Sequence, residues 1–377
     1  MKPFRVGFRN DICTMTRLNT HTSGRSCIGR LFVFILSFVF SIPYSLLAQD
    51  IHFSQFYEAP MLRNPALTGV FEGDYRVSVL YRNQWSSISK PFQTALLHGE
   101  ARMPVRIGGD KSDFVSGGIA AWYDKAGSAG LNNTAVYGTL AYNKSLSSAA
   151  RSFLTFGFTA GYLQRSFDPA KSTWSNQWSG TAYDPNRASG EALMNDRMSA
   201  ADLGAGISYA GAVDGTGEGE DITTYYFGVG AFHLTEPKQT FMTNDEVSRL
   251  ARKYTANAGA AFQVSELVRV QFHGNFALQG SAYEVIAGGL IGWQRPGPRS
   301  QPPLAVHGGV FYRYRDAVIP TVKVAWKALA VGASYDVNLS KLRAASNSLG
   351  GLELSLVHTG LFKDPRSEQS RTVCPTF

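Results

Sequence analysis

From residue 75 onward the chain alternates between apolar and polar side chains, and the alternation has a period of two. In residues 267–276, Val268, Val270, Phe272 and Phe276 fall on one face, while Arg269, Gln271, His273 and Asn275 fall on the other. A helix would mix these sets; a strand separates them, because successive strand side chains point to opposite faces. Residues 75–82 repeat the pattern, with Tyr75, Val77, Val79 and Tyr81 against Arg76, Ser78 and Arg82. So do 306–315 and 321–327. Read throughout, the pattern predicts strands near 75–82, 91–101, 114–124, 132–143, 152–166, 201–210, 222–233, 253–263, 267–276, 282–292, 304–315, 318–327, 329–338 and 351–359. An even count of about 14 strands is the expectation for a bacterial single-chain membrane barrel.

The connections sharpen this picture. Numbering strands from 75, the long polar segments 167–200 and 234–252 both follow odd-numbered strands, whereas 264–266 and 328 follow even ones. Outer-membrane barrels carry long loops outside and short turns on the periplasmic side. The competing architecture is a secreted β-sandwich, whose strands also alternate. Against it, the polar faces carry Arg, His, Gln and Asn, and aromatic residues gather near strand ends. Trp85, Trp122, Tyr123, Tyr162, Tyr254, Trp293, Trp326 and Tyr335 are placed as an interfacial girdle would be. The predicted fold is therefore all-β, a transmembrane antiparallel β-barrel over 75–360, with both termini periplasmic and a C-terminal periplasmic tail over 361–377.

The first residues follow another rule. Lys2, Arg5, Arg9, Arg17, Arg25 and Arg30 precede an uncharged apolar run, Leu31 to Phe40, followed by Leu46-Leu47-Ala48 and then Gln49-Asp50. A run of about ten residues is too short to cross a membrane as a helix. It reads as a secretory signal over 1–48, cleaved after Ala48. This segment holds five of the eight net positive charges, so the basic balance is mostly discarded and gives no reason to expect nucleic acid. Cys13 and Cys27 leave with it; lone Cys374 excludes an intrachain disulfide or a multi-cysteine metal site.

Residues 49–74 precede the barrel without sustained alternation. Pro60, Asn64, Pro65 and Gly69 mark turns, and Phe53, Phe56, Tyr57, Met61 and Leu67 give more apolar weight than a free tail needs. The segment reads as a plug across the lumen, with a periplasmic linker as the alternative. Arg76, Arg269, Arg313, Arg315 and Lys323 are expected to face the lumen. There they either tune a conducting pore or pair with Glu100, Glu284 or Glu353 in a closed one, and the closed barrel is preferred.

Chemistry for catalysis is not legible. His52, His98, His233, His273, His307 and His358 are scattered over different segments, and Asp214 to Asp221 lacks calcium-loop spacing. No Gly-rich loop follows a strand and opens a helix. The expectation is a non-enzyme with no cofactor, no metal, no nucleotide and no nucleic-acid partner.

The run FSQFYEAPMLRNPALTG (Phe53 to Gly69), then YRVSVLYRNQW (Tyr75 to Trp85) with Pro91-Phe92, resembles the PorP/SprF family. These are outer-membrane proteins associated with the type IX secretion system of Bacteroidetes; Cys374-Pro375-Thr376-Phe377 is similar to the family's ending. Phe53, Gln55, Phe56, Asn64, Pro65, Gly69, Tyr81, Arg82, Gln84 and Trp85 carry the resemblance. It implies an outer-membrane barrel, embedded in lipid, that cooperates with secretion or gliding-motility machinery. It also implies docking to machinery subunits or anchoring of a secreted adhesin through its C-terminal domain. In the loop 167–200, Trp174, Trp178, Tyr183 and Arg187 are residue types that anchor interfaces, and they are the candidate partner-binding set. The alternative function is a plugged channel for small, hydrophobic solutes; an outer-membrane hydrolase comes last.

Overall fold

In the computed structural model the described residues are 50–86, 90–104, 113–127, 130–146, 151–190, 196–213, 223–241, 248–296, 303–340 and 346–362. The secretory signal, Asp214 to Asp221 and the Cys374–Phe377 ending lie outside them. Fourteen strands close into one antiparallel barrel. They are β1 (Tyr75–Gln84), β2 (Phe92–Pro104), β3 (Phe114–Ala126), β4 (Leu131–Ser145), β5 (Ser152–Ser166), β6 (Arg197–Val213) and β7 (Thr223–Phe232). The circle continues with β8 (Lys253–Gln263), β9 (Val268–Gln279), β10 (Ala282–Gln294), β11 (Ala305–Arg313), β12 (Ala317–Trp326), β13 (Leu329–Asn338) and β14 (Leu349–Gly360). Each strand pairs with its sequence neighbours, and β1 closes on β14 from Tyr75↔Gly360 to Gln84↔Gly351. Every predicted strand is present. β6 begins at Arg197 instead of 201 because its polar start still pairs with β5, Arg197 opposite Ser166.

Burial is inverted relative to a soluble sandwich. On β1, Arg76, Ser78 and Arg82 are buried while Val77, Val79 and Tyr81 are exposed. Leu97, Ile119, Leu140, Phe158, Phe272, Ile291 and Val322 are likewise more than half exposed, which in water would cost about 1.5–3 kcal/mol each. Only a lipid surround makes such a face favourable. Tyr123, Tyr162 and Tyr254 point outward near one end of the barrel, and Trp293 and Trp326 near the other, as two aromatic girdles require. Trp122 does not join them. Adjacent strand residues face opposite ways, so with Tyr123 outward Trp122 turns inward and stacks on Tyr137, centroids 5.0 Å apart. Arg315 is the second correction. It lies at φ 59° in the turn between β11 and β12, exposed and stacked on Tyr314, so the reversal carries it out of the lumen.

One end of the barrel carries the loops 167–196 and 233–252; the longest connection at the opposite end is 295–304. We call these the long-loop end and the short-loop end. Tyr75 begins β1 at the short-loop end, beside Gly360. Asp50 lies at the long-loop end, where its backbone N–H donates to Gln279, the last residue of β9. The described chain ends are therefore at opposite faces, not the same one, because residues 50–74 run through the barrel.

Candidate functional site: a segment through the lumen and a loop cluster above it

Between Asp50 and Asp74 the chain makes a 3-10 turn (Phe56–Glu58), a short helix α1 (Pro60–Arg63) and a second 3-10 turn (Pro65–Leu67). Each proline fixes φ at a first helical position, where its missing N–H costs nothing. Asn64 caps the last turn, its Oδ1 accepting from the Ala66 N–H at 2.9 Å. The segment then meets the wall in successive layers.

Nearest the long loops, the His233 imidazole sits between two carboxylates, Nε2 to Asp50 Oδ2 and Nδ1 to Asp202 Oδ2, both 2.7 Å. Tyr137 donates to Asp202 at 2.6 Å and Lys253 lies 3.5 Å from Asp50. Burial pulls the imidazole pKa down, but the two carboxylates outweigh it and push it up to about 9. A raised histidine pKa gives stability that is complete below the unfolded value of about 6.5 and is lost as pH rises through the folded value. Raising the pH from 6.5 to 9.5 is expected to speed hydrogen exchange at residues 50–52, with no change at residues 64–69. Equal exchange at both pH values, after correction for the intrinsic rate, would rule the clasp out.

Below it, the backbone N–H groups of Ser54 and Gln55 donate to the two oxygens of Glu353, at 2.7 and 2.6 Å. Arg82 bridges Asp336 (2.8 Å) and Glu353 (3.3 Å), while Arg313 reaches Asp336 at 3.0 Å and Ser54 Oγ at 2.6 Å. The Gln84 amide, with its oxygen toward Arg82, accepts from Nη2 at 2.6 Å. Gln55 closes the layer, donating to the Glu353 carbonyl and accepting from Ser355. All four charged side chains are at most 5% exposed.

At mid-barrel Tyr57, His273 and Phe311 form a three-ring cluster, with Tyr57 at 5.0 Å from His273 and 5.2 Å from Phe311, and Phe56 packs with Ile286, Leu290 and Ile319. Lys323 pairs with Glu58 at 2.5 Å. Beyond this, Asn64-Pro65 crosses a row of facing glycines, since Gly206 pairs with both Gly157 and Gly230. A Cβ on Gly157 would strike the Pro65 backbone, and one on Gly206 the Asn64 amide. Near the short-loop end, Gly69 (φ 83°) donates to Glu100, which holds Arg76 at 2.6 Å. Phe71 then packs under the Arg76 and Arg102 guanidinium groups.

The motif residues are thus split by strand parity. Phe53, Gln55, Phe56, Asn64, Pro65, Gly69 and Arg82 meet inside the barrel; Tyr81 faces outward, and Trp85 packs on Phe92 at the strand end. Arg76, Arg313 and Lys323 face the lumen and are paired. Of the wall acids, Glu100, Glu353 and Glu284 take part, Glu284 at 3.6 Å from Arg313. Ser54, Asp336, Asp202 and Asp50 were not singled out from sequence. The available signal was their position on a polar face or in the motif, but not their partners.

The candidate partner-binding residues form a second, compact cluster in the loop 167–196. Trp178 and Tyr183 pair as an isolated bridge with both side chains exposed. Gln177 organises them. It accepts from the Trp174 N–H (3.2 Å) and the Tyr183 hydroxyl (3.0 Å), and donates to the Arg187 carbonyl (3.0 Å). Arg187 in turn donates to the Trp178 carbonyl at 3.2 Å.

With this geometry in place, the motif can be set against known proteins. Residues 45–357 match the family described as Type IX secretion system membrane protein PorP/SprF. The chain belongs to this family. This PorP/SprF protein is accordingly a β-barrel of the outer membrane and a type IX secretion system membrane protein. No curated protein matches it in a sequence search. Among solved structures it is similar to a deltaS2S3 mutant of the TodX monoaromatic hydrocarbon channel (11% identity, 79% of this chain and 92% of that one, TM-score 0.43). The Pseudomonas putida toluene transporter TodX gives 9% identity, 79% and 91% coverage and a TM-score of 0.39. BamA from Haemophilus ducreyi lacking POTRA domains 1–3 gives 8%, 76% and 70%, and 0.39. These likenesses concern the barrel alone.

Proposed function

We propose that this PorP/SprF protein is a non-enzymatic docking protein of the type IX secretion system. Its long loops hold machinery subunits or the C-terminal domain of a secreted adhesin, and its lumen is closed by residues 50–74 acting as a plug. The observation that carries this reading is the run of contacts between residues 50–74 and the inner wall. A conducting protein needs a path, whereas here the segment meets the wall in layer after layer of paired charges and packed rings. The docking face is then left to the loops, where barrels carry recognition. With the long-loop end outside, the beginning of β1 and Gly360 are periplasmic. Trp178 and Tyr183 are large exposed side chains on a loop braced by Gln177, so they meet a partner with little ordering cost.

The test is co-purification of the affinity-tagged barrel from native membranes. Machinery subunits or an adhesin fragment are expected with the intact protein. The double variant Trp178→Ala/Tyr183→Ala should lose about tenfold or more of that capture, the loss typical of an interface hot spot, with the barrel still resistant to unfolding in detergent. Undiminished capture would exclude the loop cluster; a barrel that purifies alone and conducts solutes would replace docking by transport. A transport reading has one observation in its favour. An apolar cavity beside the segment is lined by Ile51, Met61, Leu62, Trp122, Tyr137 and Phe232, next to the His233 layer.

A further inference from the structure

The apolar cavity beside α1 draws its walls from two sources. Ile51 and, on α1, Met61 and Leu62 line it from the segment; Trp122 of β3, Tyr137 of β4 and Phe232 of β7 line it from the barrel. Its volume is about 420 Å³, counting the open solvent at its mouth, which suits a small molecule and not a folded partner. The polar side chains on these walls are matched, with one exception. Tyr137 donates to Asp202, Thr139 to Thr159, and Thr159 to the Gly138 carbonyl, while His233 lies between Asp50 and Asp202. Trp122 is the exception. It is 9% exposed and stacked on Tyr137 with an interplanar angle of 7°, yet its indole Nε1–H has no hydrogen-bond partner among the described residues. A buried donor left unpaired is costly, so the site favours whatever brings it an acceptor.

We propose that this cavity binds a small, neutral ring compound carrying one hydrogen-bond acceptor, such as an aromatic ketone, with the acceptor on the Trp122 indole N–H. The rings of the wall favour a flat apolar body. The charges beside it argue against an ionised one. His233 and Lys253 bring two cations and Asp50 and Asp202 two carboxylates, so they balance and leave no charge to offer a ligand. A bound ring touches the segment and three strands at once, and so stabilises the docked arrangement of residues 51–62. It is held as a brace for the segment, not passed as cargo. No wall residue comes from the loop 167–196, so the site stands or falls separately from the docking reading.

The test titrates the barrel in detergent with para-fluoroacetophenone and with para-fluoroethylbenzene, a probe of like shape without an acceptor. Binding is read by fluorine NMR against protein-free micelles. The ketone is expected to bind about tenfold tighter than the hydrocarbon, the gain from pairing a buried donor. Trp122→Phe keeps a ring and loses the N–H, and should bring the ketone to the hydrocarbon's affinity. Ala120→Leu adds bulk to the cavity wall and should weaken both probes by about tenfold or more. Equal affinity of the two probes for the unaltered barrel would overturn the proposal, as would a ketone preference that survives Trp122→Phe. Binding no greater than to micelles alone would overturn it too, leaving water as the partner of the indole. Should Ala120→Leu fail to fold, hydrogen exchange supplies a second readout at the Leu62 and Asn64 amides, which donate to Ala59 and Pro60. The ketone should slow their exchange by about threefold or more in the unaltered barrel and not in Trp122→Phe. Equal exchange with and without the ketone in the unaltered barrel would count against the site.

Discussion

Replacing Arg82 by alanine is expected to destabilise the barrel more than any other single substitution in its wall. Arg82 lies on β1 and bridges Asp336 of β13 and Glu353 of β14, across the seam at which the barrel closes. Its side chain is 2% exposed, and those of the two acids 4% and 1%. Alanine would leave Asp336 with Arg313 as its one cation beside the Ser54 hydroxyl, and Glu353 with two backbone N–H donors and no cation. Breaking a buried pair from one side costs about 3–5 kcal/mol, mostly the penalty of the stranded charge. The midpoint of heat-induced unfolding in detergent, read as the gel shift from folded to unfolded barrel, should fall by on the order of 10 °C. Arg82→Lys should recover only part, because an ammonium cannot span both acids as the guanidinium fork does. Adding Glu353→Gln to Arg82→Ala should restore stability relative to the single variant, since it removes the charge left behind. An unchanged midpoint for Arg82→Ala would mean that this layer does not hold the seam.

How much of this was legible depended on the range of the interactions involved. The strands were, because a wall with lipid outside and a polar lumen inside forces strict alternation, as in Val77, Val79 and Tyr81 against Arg76, Ser78 and Arg82. Parity alone also settles Trp122 against Tyr123, two neighbours that cannot both face lipid. The apolar and turn-forming character of 49–74 marked that segment as more than a tail. Its direction was not visible, because nothing local distinguishes an entry from an exit; the contacts that set it join Asp50 to His233 and Ser54 to Glu353, far apart in sequence. The wall glycines carry a further signal. Gly157, Gly206 and Gly230 occupy inward positions of β5, β6 and β7, and glycine there announces that another backbone comes close. In the loop, Trp174, Trp178, Tyr183 and Arg187 were readable as residue types, but the Gln177 amide that joins them was not.

Deleting residues 50–72 is expected to turn a closed barrel into an open one. The wall should survive the loss, since several of its ion pairs are internal to it. Arg82–Asp336, Arg82–Glu353, Arg313–Asp336 and Arg76–Glu100 all join one strand to another. What disappears is the filling, namely the Phe56 and Tyr57 rings, α1, and the Asn64-Pro65 turn that rests on the glycine row. A barrel of about fourteen strands without that filling encloses a water-filled passage. Its inner face would carry Lys323 without Glu58, and His233 with Asp202 but without Asp50. In planar bilayers the intact protein should conduct at or near the baseline, and the deletion variant about tenfold or more above it, in long openings as in an unplugged pore. The freed Lys323 would favour anions, and Lys323→Glu in the deletion background should shift the reversal potential toward cation selectivity. Equal conductance with and without the segment would show that residues 50–74 do not block the lumen. The closed-barrel basis of the docking proposal would then fall, while the ionic seam around Arg82, which belongs to the wall, would stand.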